Sequence, residues 1–292
     1  MRNQPDFSFH RHFSLNIRIC YLCTVMKTLK DKKMFLLDMD GTIYIGNDLI
    51  PGAMDFLRTI EEQGKKRVFM TNNSSRNKFA YVEKLARLGI ECSPEDIASS
   101  VNATACYLHS HKEGARIYLV GTESLKKELE LEGFTVVPKD YRGNDVDCLL
   151  IGYDTELDYR KIEGACHYLC EGVDYYATNC DMRCPIEGGR YLPDCGSMCN
   201  MFEVATGRKP KYLGKPDRFI IDYIHDKWKV EYDDIVVIGD RLYTDIAVGV
   251  NAGVDSICVL SGECTMEDIN ASTIKPSYIF NSIKDVYENL TN

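Results

Sequence analysis

Short apolar runs alternate with longer amphipathic stretches from Met34 onward, and this alternation constrains the fold more than any other feature of the chain. Several runs are apolar throughout, which is typical of strands that are covered on both faces. We predict strands at Phe35–Asp38, Arg67–Thr71, Arg116–Val120, Cys148–Gly152, Tyr175–Thr178, Ile235–Gly239 and Ser256–Leu260. Helices are predicted between them, including Met54–Gln63, Lys78–Leu88, Ser124–Leu131, Tyr159–Cys170 and Arg218–His225. The alternation predicts an α/β fold with a doubly wound parallel sheet.

The length predicts two structural units, because 292 residues are about twice the ~150 residues expected of one domain. No linker rich in Pro, Gly or Ser separates them, and the best hinge candidates are the polar segments His109–Gly114 and Gly207–Lys211. We therefore predict a core formed by residues 34–108 and 211–292, interrupted by an inserted α/β cap domain of residues 109–210.

The first 33 residues are basic and carry few acids, unlike the rest of the chain. Their apolar stretch, Phe13–Met26, is interrupted by Arg18 and is too short to span a bilayer. It also lacks the cleavage site of a signal peptide. We expect a disordered leader, or an over-extended start with Met26 as the true initiator, and an organelle transit peptide is the alternative.

Composition narrows the class of protein. The chain has 35 basic and 44 acidic residues, a net charge of −9, which argues against a nucleic-acid-binding protein. Its 13 cysteines are odd in number, and the chain is long enough to form a core without disulfides. We therefore expect a reducing compartment, the cytoplasm, and no association with a membrane.

Polar residues follow three of the predicted strands. Asp38 and Asp40 end the first, Thr71 ends the second, and Asp240 directly follows the strand that begins at Ile235. Ligands of open parallel sheets bind beyond the carboxyl ends of the strands, so these side chains converge if the strands are neighbours. Clustered carboxylates repel one another and need a cation, and hard oxygen ligands favour Mg²⁺.

Each of these strand ends also has a purely structural explanation. Asp40-Gly41 between apolar runs is a hairpin-turn signal, Asp240 could cap a helix, and Thr71 could cap a strand end. A hairpin can also leave the end of a catalytic strand, so both interpretations of Asp40 can hold. The recurrence of such sites at separate strand ends favours a functional pocket.

Four motifs in order resemble those of the haloacid dehalogenase (HAD) superfamily of phosphatases, in the branch that contains NagD and the p-nitrophenylphosphatases. The motifs are Asp38-Met-Asp-Gly-Thr42-Ile-Tyr44, Val68-Phe-Met-Thr71-Asn-Asn, Gly214-Lys215-Pro216 and Gly239-Asp240-Arg-Leu-Tyr-Thr-Asp245-Ile. The resemblance extends from Phe35 to Leu290. It implies a HAD-like, Rossmannoid core whose cap is inserted between the second and third motifs.

The resemblance also implies roles for the acidic residues. Asp38 would attack phosphorus and form an aspartyl-phosphate, and Asp40 would act as general acid and base. Mg²⁺ would be held by Asp38, the backbone carbonyl of Asp40 and Asp240. Asp245 would orient the metal ligands from outside their coordination sphere or cap the helix that follows it.

Phosphate and substrate contacts are expected from polar residues of the other motifs. Thr71, Asn72 and Asn73 would offer donors to phosphate oxygens, and Lys215 would add a positive charge. The alternative for Lys215 is a solvated loop lysine.

The cap should select the substrate, because the core offers only generic phosphate chemistry. The loop Thr178-Asn179-Cys180-Asp181 matches one that relatives place over the site, although many of them carry proline where Cys180 stands. Asn179 and Asp181 are candidate substrate contacts, and ordinary turn residues are the alternative. Such a cap would admit small phosphorylated metabolites and exclude phosphoproteins and polynucleotides, and it could present a homodimer surface.

Four cysteines of the cap offer a competing interpretation. Cys180-x3-Cys184-x10-Cys195-x3-Cys199 could bind zinc, although the pairs are spaced by three residues rather than two and no His lies between them. Buried free cysteines also act as small apolar residues.

The sequence therefore predicts a Mg²⁺-dependent phosphatase that hydrolyses small phosphate monoesters, such as a sugar phosphate or a nucleotide, through an aspartyl-phosphate. A phosphotransferase or mutase that uses the same intermediate, and a non-enzymatic metal-binding module, are the alternatives. Dinucleotide binding is disfavoured because no G-x-G-x-x-G follows a strand.

Overall fold

A computed structural model of the protein describes residues 28–186 and 190–292. Six residues of the predicted leader, 28–33, pack on the core. Leu29 is buried, and the buried Lys32 Nζ donates a hydrogen bond to the Asp233 carbonyl over 2.9 Å. Residues 1–27, and with them the predicted transit peptide and the alternative start at Met26, lie outside the described residues.

The larger sheet of the described chain has six parallel strands in the order β15-β14-β13-β1-β4-β5. Their bounds are β1 Met34–Asp38, β4 Lys66–Thr71, β5 Ile97–Ser99, β13 Ile235–Gly239, β14 Asp255–Val259 and β15 Tyr278–Phe280. The chain leaves β1 toward β4 and β5 and later returns on the other side at β13. The boundary between β1 and β13 is therefore a topological switch point, where ligands of doubly wound sheets bind.

Helices cover both faces of this sheet. They are α1 Ala53–Glu62, α2 Lys78–Arg87, α3 Ser100–His111, α7 Phe219–Trp228, α8 Ala247–Ala252, α9 Met266–Ala271 and α10 Ile283–Thr291. Phe35 and Leu37 of β1 pack with α1, α2 and α10, whereas Met34 and Leu36 pack with α3, α7 and α8. Because successive side chains of a strand point to opposite faces, this two-sided burial explains the unbroken apolar run.

The smaller sheet has five parallel strands in the order β12-β9-β8-β6-β7, and all of them except β12 lie in the predicted cap. Its strands are β6 Arg116–Val120, β7 Thr135–Val136, β8 Cys148–Ile151, β9 Asp174–Ala177 and β12 Lys211–Tyr212. Helices α5 Tyr159–Cys170 and α6 Cys195–Thr206 pack on one face, and α4 Glu123–Leu131 packs on the other. All seven predicted strands and all five predicted helices are confirmed, with ends that shift by a few residues.

Helix α3 connects the two units. Its Ala103 packs in the core, whereas Val101 and Leu108 pack with α4 against the smaller sheet. The predicted boundary between residues 108 and 109 therefore falls within a helix that both units share. At the second predicted boundary, where the chain passes from the cap back to the core, Lys211 pairs with Tyr176 of β9. The first residues assigned to the core are therefore hydrogen-bonded to the smaller sheet.

Two antiparallel hairpins complete the described strands. The first joins β2 Tyr44–Ile45 and β3 Asp48–Leu49, and the second joins β10 Arg183–Ile186 and β11 Arg190–Pro193. The first follows Asp40-Gly41 directly, and Gly41, with a φ of +90°, donates its N–H to the Tyr44 carbonyl over 2.8 Å. The hairpin therefore begins immediately beyond the end of β1.

No helix within the described residues is long and apolar enough to cross a membrane. The cytoplasmic location and the dimer surface on the cap stay predictions.

Candidate active site

Three carboxylates meet at the switch point of the larger sheet. Asp38 ends β1, Asp240 directly follows β13, and Asp245 lies in the turn of π-helix Leu242–Ile246. One oxygen of each lies within 4.8 Å of the others, and the described part of the chain holds no other such group of potential metal ligands. The neighbouring positions of β1 and β13 bring Asp38 and Asp240 together as the sequence predicts.

Asp240 has one carboxylate oxygen available to a cation. Its Oδ2 accepts the Glu263 N–H over 2.7 Å, whereas the buried Oδ1 has no hydrogen-bond partner among the described residues. Burial, together with Asp38 and Asp245, raises the pKa of Asp240 to about 8. An unsatisfied buried oxygen beside other carboxylates fits a hard divalent cation such as Mg²⁺. Asp240 does not cap the helix that follows it. The N-cap residue of that helix is Arg241, and no side chain makes a capping hydrogen bond there.

Glycines leave room for the Asp240 carboxylate. A Cβ on Gly41 would lie 2.5 Å from Asp240 Oδ2, and a Cβ on Gly262 would overlap the same oxygen. The positive φ of Gly41 also favours glycine there. The glycine of the first motif therefore has a steric role beside its role in the turn.

Lys215 joins two of the carboxylates. Its Nζ donates to Asp38 Oδ1 over 2.7 Å and to Asp245 Oδ1 over 2.5 Å, and its side chain is only 2% exposed. Burial alone would lower the pKa of Lys215, but the two carboxylates raise it above its usual value. The alternative of a solvated loop lysine is therefore wrong.

Asp245 is held from two directions. In addition to Lys215, it accepts the Arg241 N–H at Oδ2 over 3.2 Å. Burial raises the pKa of Asp245 to about 6, with Asp38 adding to the increase and Lys215 opposing it. The side chain therefore fixes the position of Lys215 and lies beside the other two carboxylates.

Asp40 lies at the mouth of the same site and is exposed to solvent. Desolvation by the cavity walls raises its pKa above the usual value, and nearby Lys84 opposes this increase. A carboxyl group with a raised pKa can hold a proton nearer to neutral pH, which general-acid chemistry requires.

The polar residues after β4 are close to the carboxylates but are mostly engaged with one another. Thr71 Oγ1 accepts the Asn73 N–H over 3.1 Å, and Asn73 Oδ1 accepts the Ser75 N–H over 2.9 Å. Asn72 accepts the Lys215 N–H at Oδ1 over 2.9 Å. All three predicted phosphate contacts line the cavity, but Asn72 and Asn73 also hold the loops in position.

The two predicted substrate contacts of the cap differ in placement. Asp181 lines the cavity, where its carboxylate accepts hydrogen bonds from Asn72 over 2.7 Å and from Asn179 over 2.9 Å. Asn179 is fully buried, does not line the cavity, and also donates to Asp194 over 3.2 Å. Asn179 thus holds the loop, and Asp181 is the member of the pair that reaches the cavity.

Arg241 is a site residue that the sequence analysis did not single out. Its guanidinium lies 3.3 Å from Asp181 Oδ1, which connects the fourth motif of the core to the cap loop, and 3.1 Å from Glu263 Oε2. Its position next to Asp240 in the fourth motif was the available signal.

A cavity of about 670 Å³ opens between core and cap, and it is lined by residues of both. It includes Asp38, Asp40, Thr71, Lys215 and Arg241 from the core and Tyr153, Asp181 and Cys184 from the cap. Further basic side chains, which the sequence did not reveal, are Arg76, Lys84, Arg87 and Arg183.

The four cap cysteines do not come together as a ligand set. All four are among the described residues, and no group of potential ligands there contains them. Cys195 is buried with its Sγ 3.4 Å from the Ile151 carbonyl, whereas Cys184 lines the cavity. The zinc-site interpretation is therefore wrong.

Comparison with known proteins adds independent observations. Residues 35–135 match a family model described as haloacid dehalogenase-like hydrolase, and residues 212–286 match one described as HAD-hydrolase-like. An acid sugar phosphatase of Staphylococcus haemolyticus is 34% identical over 255 residues, covering 87% of this chain and 95% of the relative.

Solved structures agree over most of the chain. A 4-nitrophenylphosphatase from Thermotoga maritima superposes with a TM-score of 0.83 at 37% identity, covering 89% of this chain and 98% of that one. A glycerol phosphate phosphatase from Mycobacterium tuberculosis, solved in complex with magnesium, gives a TM-score of 0.82 at 29% identity, covering 89% and 78%. NagD from E. coli gives a TM-score of 0.78 at 31% identity, covering 87% and 98%.

Proposed function

The chain belongs to the haloacid dehalogenase-like hydrolases, and from this premise we propose that it is a Mg²⁺-dependent phosphatase that hydrolyses small phosphate monoesters through an aspartyl-phosphate on Asp38. One observation carries the proposal. Asp38 lies at the switch point of the sheet with one oxygen held by the buried Lys215, beside the unpartnered oxygen of Asp240.

In the proposed reaction Asp38 acts as the nucleophile. Because Lys215 binds Oδ1, the Oδ2 atom is the one left to attack phosphorus. The new bond joins Oδ2 to phosphorus as the bond from phosphorus to the leaving oxygen breaks, and Asp40 gives its proton to that oxygen. Asp40 then takes a proton from the water that attacks the aspartyl-phosphate, which releases inorganic phosphate and restores Asp38.

The remaining groups organise charge around this reaction. Bound Mg²⁺, held by Asp38, the Asp40 carbonyl and Asp240, would screen the repulsion between carboxylate and phosphate. Lys215 supplies a fixed positive charge at the nucleophile, and Asp245 holds that lysine in place. Thr71 lines the cavity on the same side and is a candidate phosphate donor.

Hydrolysis is favoured over transfer to a second substrate by the exposure of Asp40. A phosphotransferase or mutase must keep water from the intermediate, whereas here the proposed general base lies exposed at the mouth of a cavity of about 670 Å³. The cap that forms the other wall would restrict entry to small phosphorylated metabolites.

The purified protein is therefore expected to release phosphate from 4-nitrophenyl phosphate, to lose activity in EDTA and to regain it with Mg²⁺. Asp38→Asn should lower kcat by at least ~10³, as expected for loss of a nucleophile. Asp55→Asn, an exposed aspartate of α1 outside the cavity, is the matched control and should retain activity. An active Asp38→Asn enzyme would exclude the assigned nucleophile, and phosphate transfer to an added sugar in preference to water would favour the transferase.

A further inference from the structure

Four basic side chains line the cavity but have no part in the chemistry above. Arg76 follows β4, Lys84 and Arg87 lie on α2, and Arg183 lies on β10 of the cap. Within residues 28–186 and 190–292, none of the four forms an ion pair with a carboxylate. By contrast, Lys215 is bonded to two carboxylates.

Three of these side chains, Arg76, Lys84 and Arg87, form one group on the core, here called the basic cluster. The Nζ atom of Lys84 lies 3.9 Å from the centroid of the Tyr44 ring. Burial lowers the pKa of Lys84, and both arginines lower it further, so each arginine lies close enough to Lys84 to repel its charge. Asp40 opposes that effect without forming an ion pair with Lys84. An anion bound at the cluster would relieve this repulsion.

Lys84 places the basic cluster beside Asp40, the residue that would protonate a leaving group. A phosphate attacked by Asp38 directs its leaving oxygen to Asp40, the residue that protonates it. Lys84 is the cation that acts most strongly on Asp40, and Tyr44, beneath Lys84, belongs to the hairpin that follows Asp40. We infer that a substituent on the leaving group extends from Asp40 toward the basic cluster.

We propose, on the basis of the phosphatase function above, that the basic cluster binds a second anionic group of the substrate. The preferred substrates are then small phosphate monoesters whose leaving group carries a carboxylate or a second phosphate. Arginine suits both groups because its planar guanidinium donates two parallel hydrogen bonds. A cavity of about 670 Å³ has room for such a molecule and falls within the usual range for small-ligand sites.

The test compares kcat/KM for substrate pairs that differ only in the remote group. The carboxylate pair is 3-phosphoglycerate and glycerol 1-phosphate, and the phosphate pair is glucose 1,6-bisphosphate and glucose 6-phosphate. The native enzyme should prefer the doubly anionic member of at least one pair by roughly tenfold or more, the usual gain from a charge-assisted contact. That preference should fall as KCl is raised, because salt screens exposed charges.

Removing a charge from the cluster should reduce the preference. Arg76→Gln, Lys84→Gln and Arg87→Gln should each lower the ratio of the two kcat/KM values by roughly tenfold. Arg58→Gln, an exposed arginine of α1 outside the cavity, is the control and should leave the ratio unchanged. None of the three cluster side chains is fully buried, so the variants should fold, which thermal melting checks.

The outcomes separate this inference from the proposed function. Failure of the native enzyme to hydrolyse 4-nitrophenyl phosphate or any paired substrate would reject the phosphatase. Hydrolysis with no preference in either pair, or equal losses for both members in the Arg76→Gln and Arg87→Gln variants, would reject the anion subsite and leave the phosphatase intact. A preference confined to one pair supports the subsite and identifies the anion as carboxylate or phosphate.

Discussion

Replacement of Lys215 with Met tests whether one buried cation balances the carboxylates at the centre of the site. The Nζ atom lies 2.7 Å from Asp38 Oδ1 and 2.5 Å from Asp245 Oδ1, and the side chain is 2% exposed. Methionine is similar in length and volume but uncharged, so the change removes the charge with little change in packing. Two carboxylates then face each other without a cation, close to Asp240.

The expected cost follows from the burial of the pair. Breaking a buried ion pair by removing one partner costs about 3–5 kcal/mol of unfolding free energy, because the other charge stays buried. Urea unfolding slopes of about 1–3 kcal/mol per molar convert this loss into a midpoint lower by ~1 M or more. Loss of the fixed charge beside the nucleophile should also lower kcat/KM by ~10²–10³.

The assay is urea unfolding in EDTA at neutral pH, followed by fluorescence of Trp228, the single tryptophan of the chain. Mg²⁺ added in place of EDTA should raise the midpoint of Lys215→Met more than that of the native protein, because a cation among the carboxylates replaces part of the missing charge. The control is Lys209→Met, whose 73% exposed side chain lies 3.1 Å from Glu203. Such a surface ion pair contributes less than ~1 kcal/mol to the unfolding free energy.

A Lys215→Met protein with the midpoint of the Lys209→Met control and an unchanged response to Mg²⁺ would contradict this role of Lys215. In that case Lys215 would not neutralise the carboxylates of Asp38 and Asp245, and its hydrogen bonds would add little to the stability of the folded protein.

Three further changes probe the surroundings of the site. Gly262→Ala should displace the Asp240 carboxylate, since the new Cβ overlaps Oδ2, and should lower kcat/KM by at least ~10-fold in a phosphate-release assay. Asp181→Asn should weaken the link from the cap to Arg241 and lower kcat/KM by ~10–100-fold, the usual loss for charge-assisted hydrogen bonds. Asp194→Asn should flatten the pH dependence of stability. Burial raises the pKa of Asp194 from 3.8 to about 6, so the contribution of Asp194 to folding stability is full below pH 3.8 and is lost as the pH rises through about 6.

The controls for these variants follow from the same structure. Gly133→Ala, which has open space around its Cβ, should retain activity although its φ of +87° costs ~1 kcal/mol of stability. The Asn variant of Asp194 can still cap α6. Removal of the charge should raise the unfolding free energy above pH 6 by up to ~3 kcal/mol. Thermal melting between pH 4 and 8 measures the change in stability. A native-like pH profile would contradict the assignment to Asp194. A native kcat/KM in Gly262→Ala would contradict the crowding at Asp240. A native kcat/KM in Asp181→Asn would contradict a role for the link between the cap and Arg241.

Much of the fold could be predicted because the apolar runs of β1 and β13 identify these strands from their own residues. Strands apolar on both faces require helices on both faces, and Phe35 and Leu36 indeed pack into opposite layers. Short elements escaped prediction. Strand β5 has only three residues and the hairpin strand β2 only two, too few for a periodic signal.

The limits of the domain division have a physical reason as well. Helix α3 packs against both sheets through residues on different faces, so no change of composition marks the point where one unit ends. The stability of that segment depends on partners distant in sequence, which a linear pattern does not reveal.

The sequence by itself determined which acidic side chains lie at the switch point, and their chemical roles stay predictions. Asp38, Asp40 and Asp240 follow apolar strands, and parallel strands place their carboxyl ends at one edge, so local patterns sufficed. Only the tertiary structure decided what surrounds that centre. The burial of Lys215, the Arg241–Asp181 link and the basic cluster depend on contacts between segments distant along the chain. Charge and burial in a pocket are set by all the segments that meet there, whereas a strand end is set by its own residues.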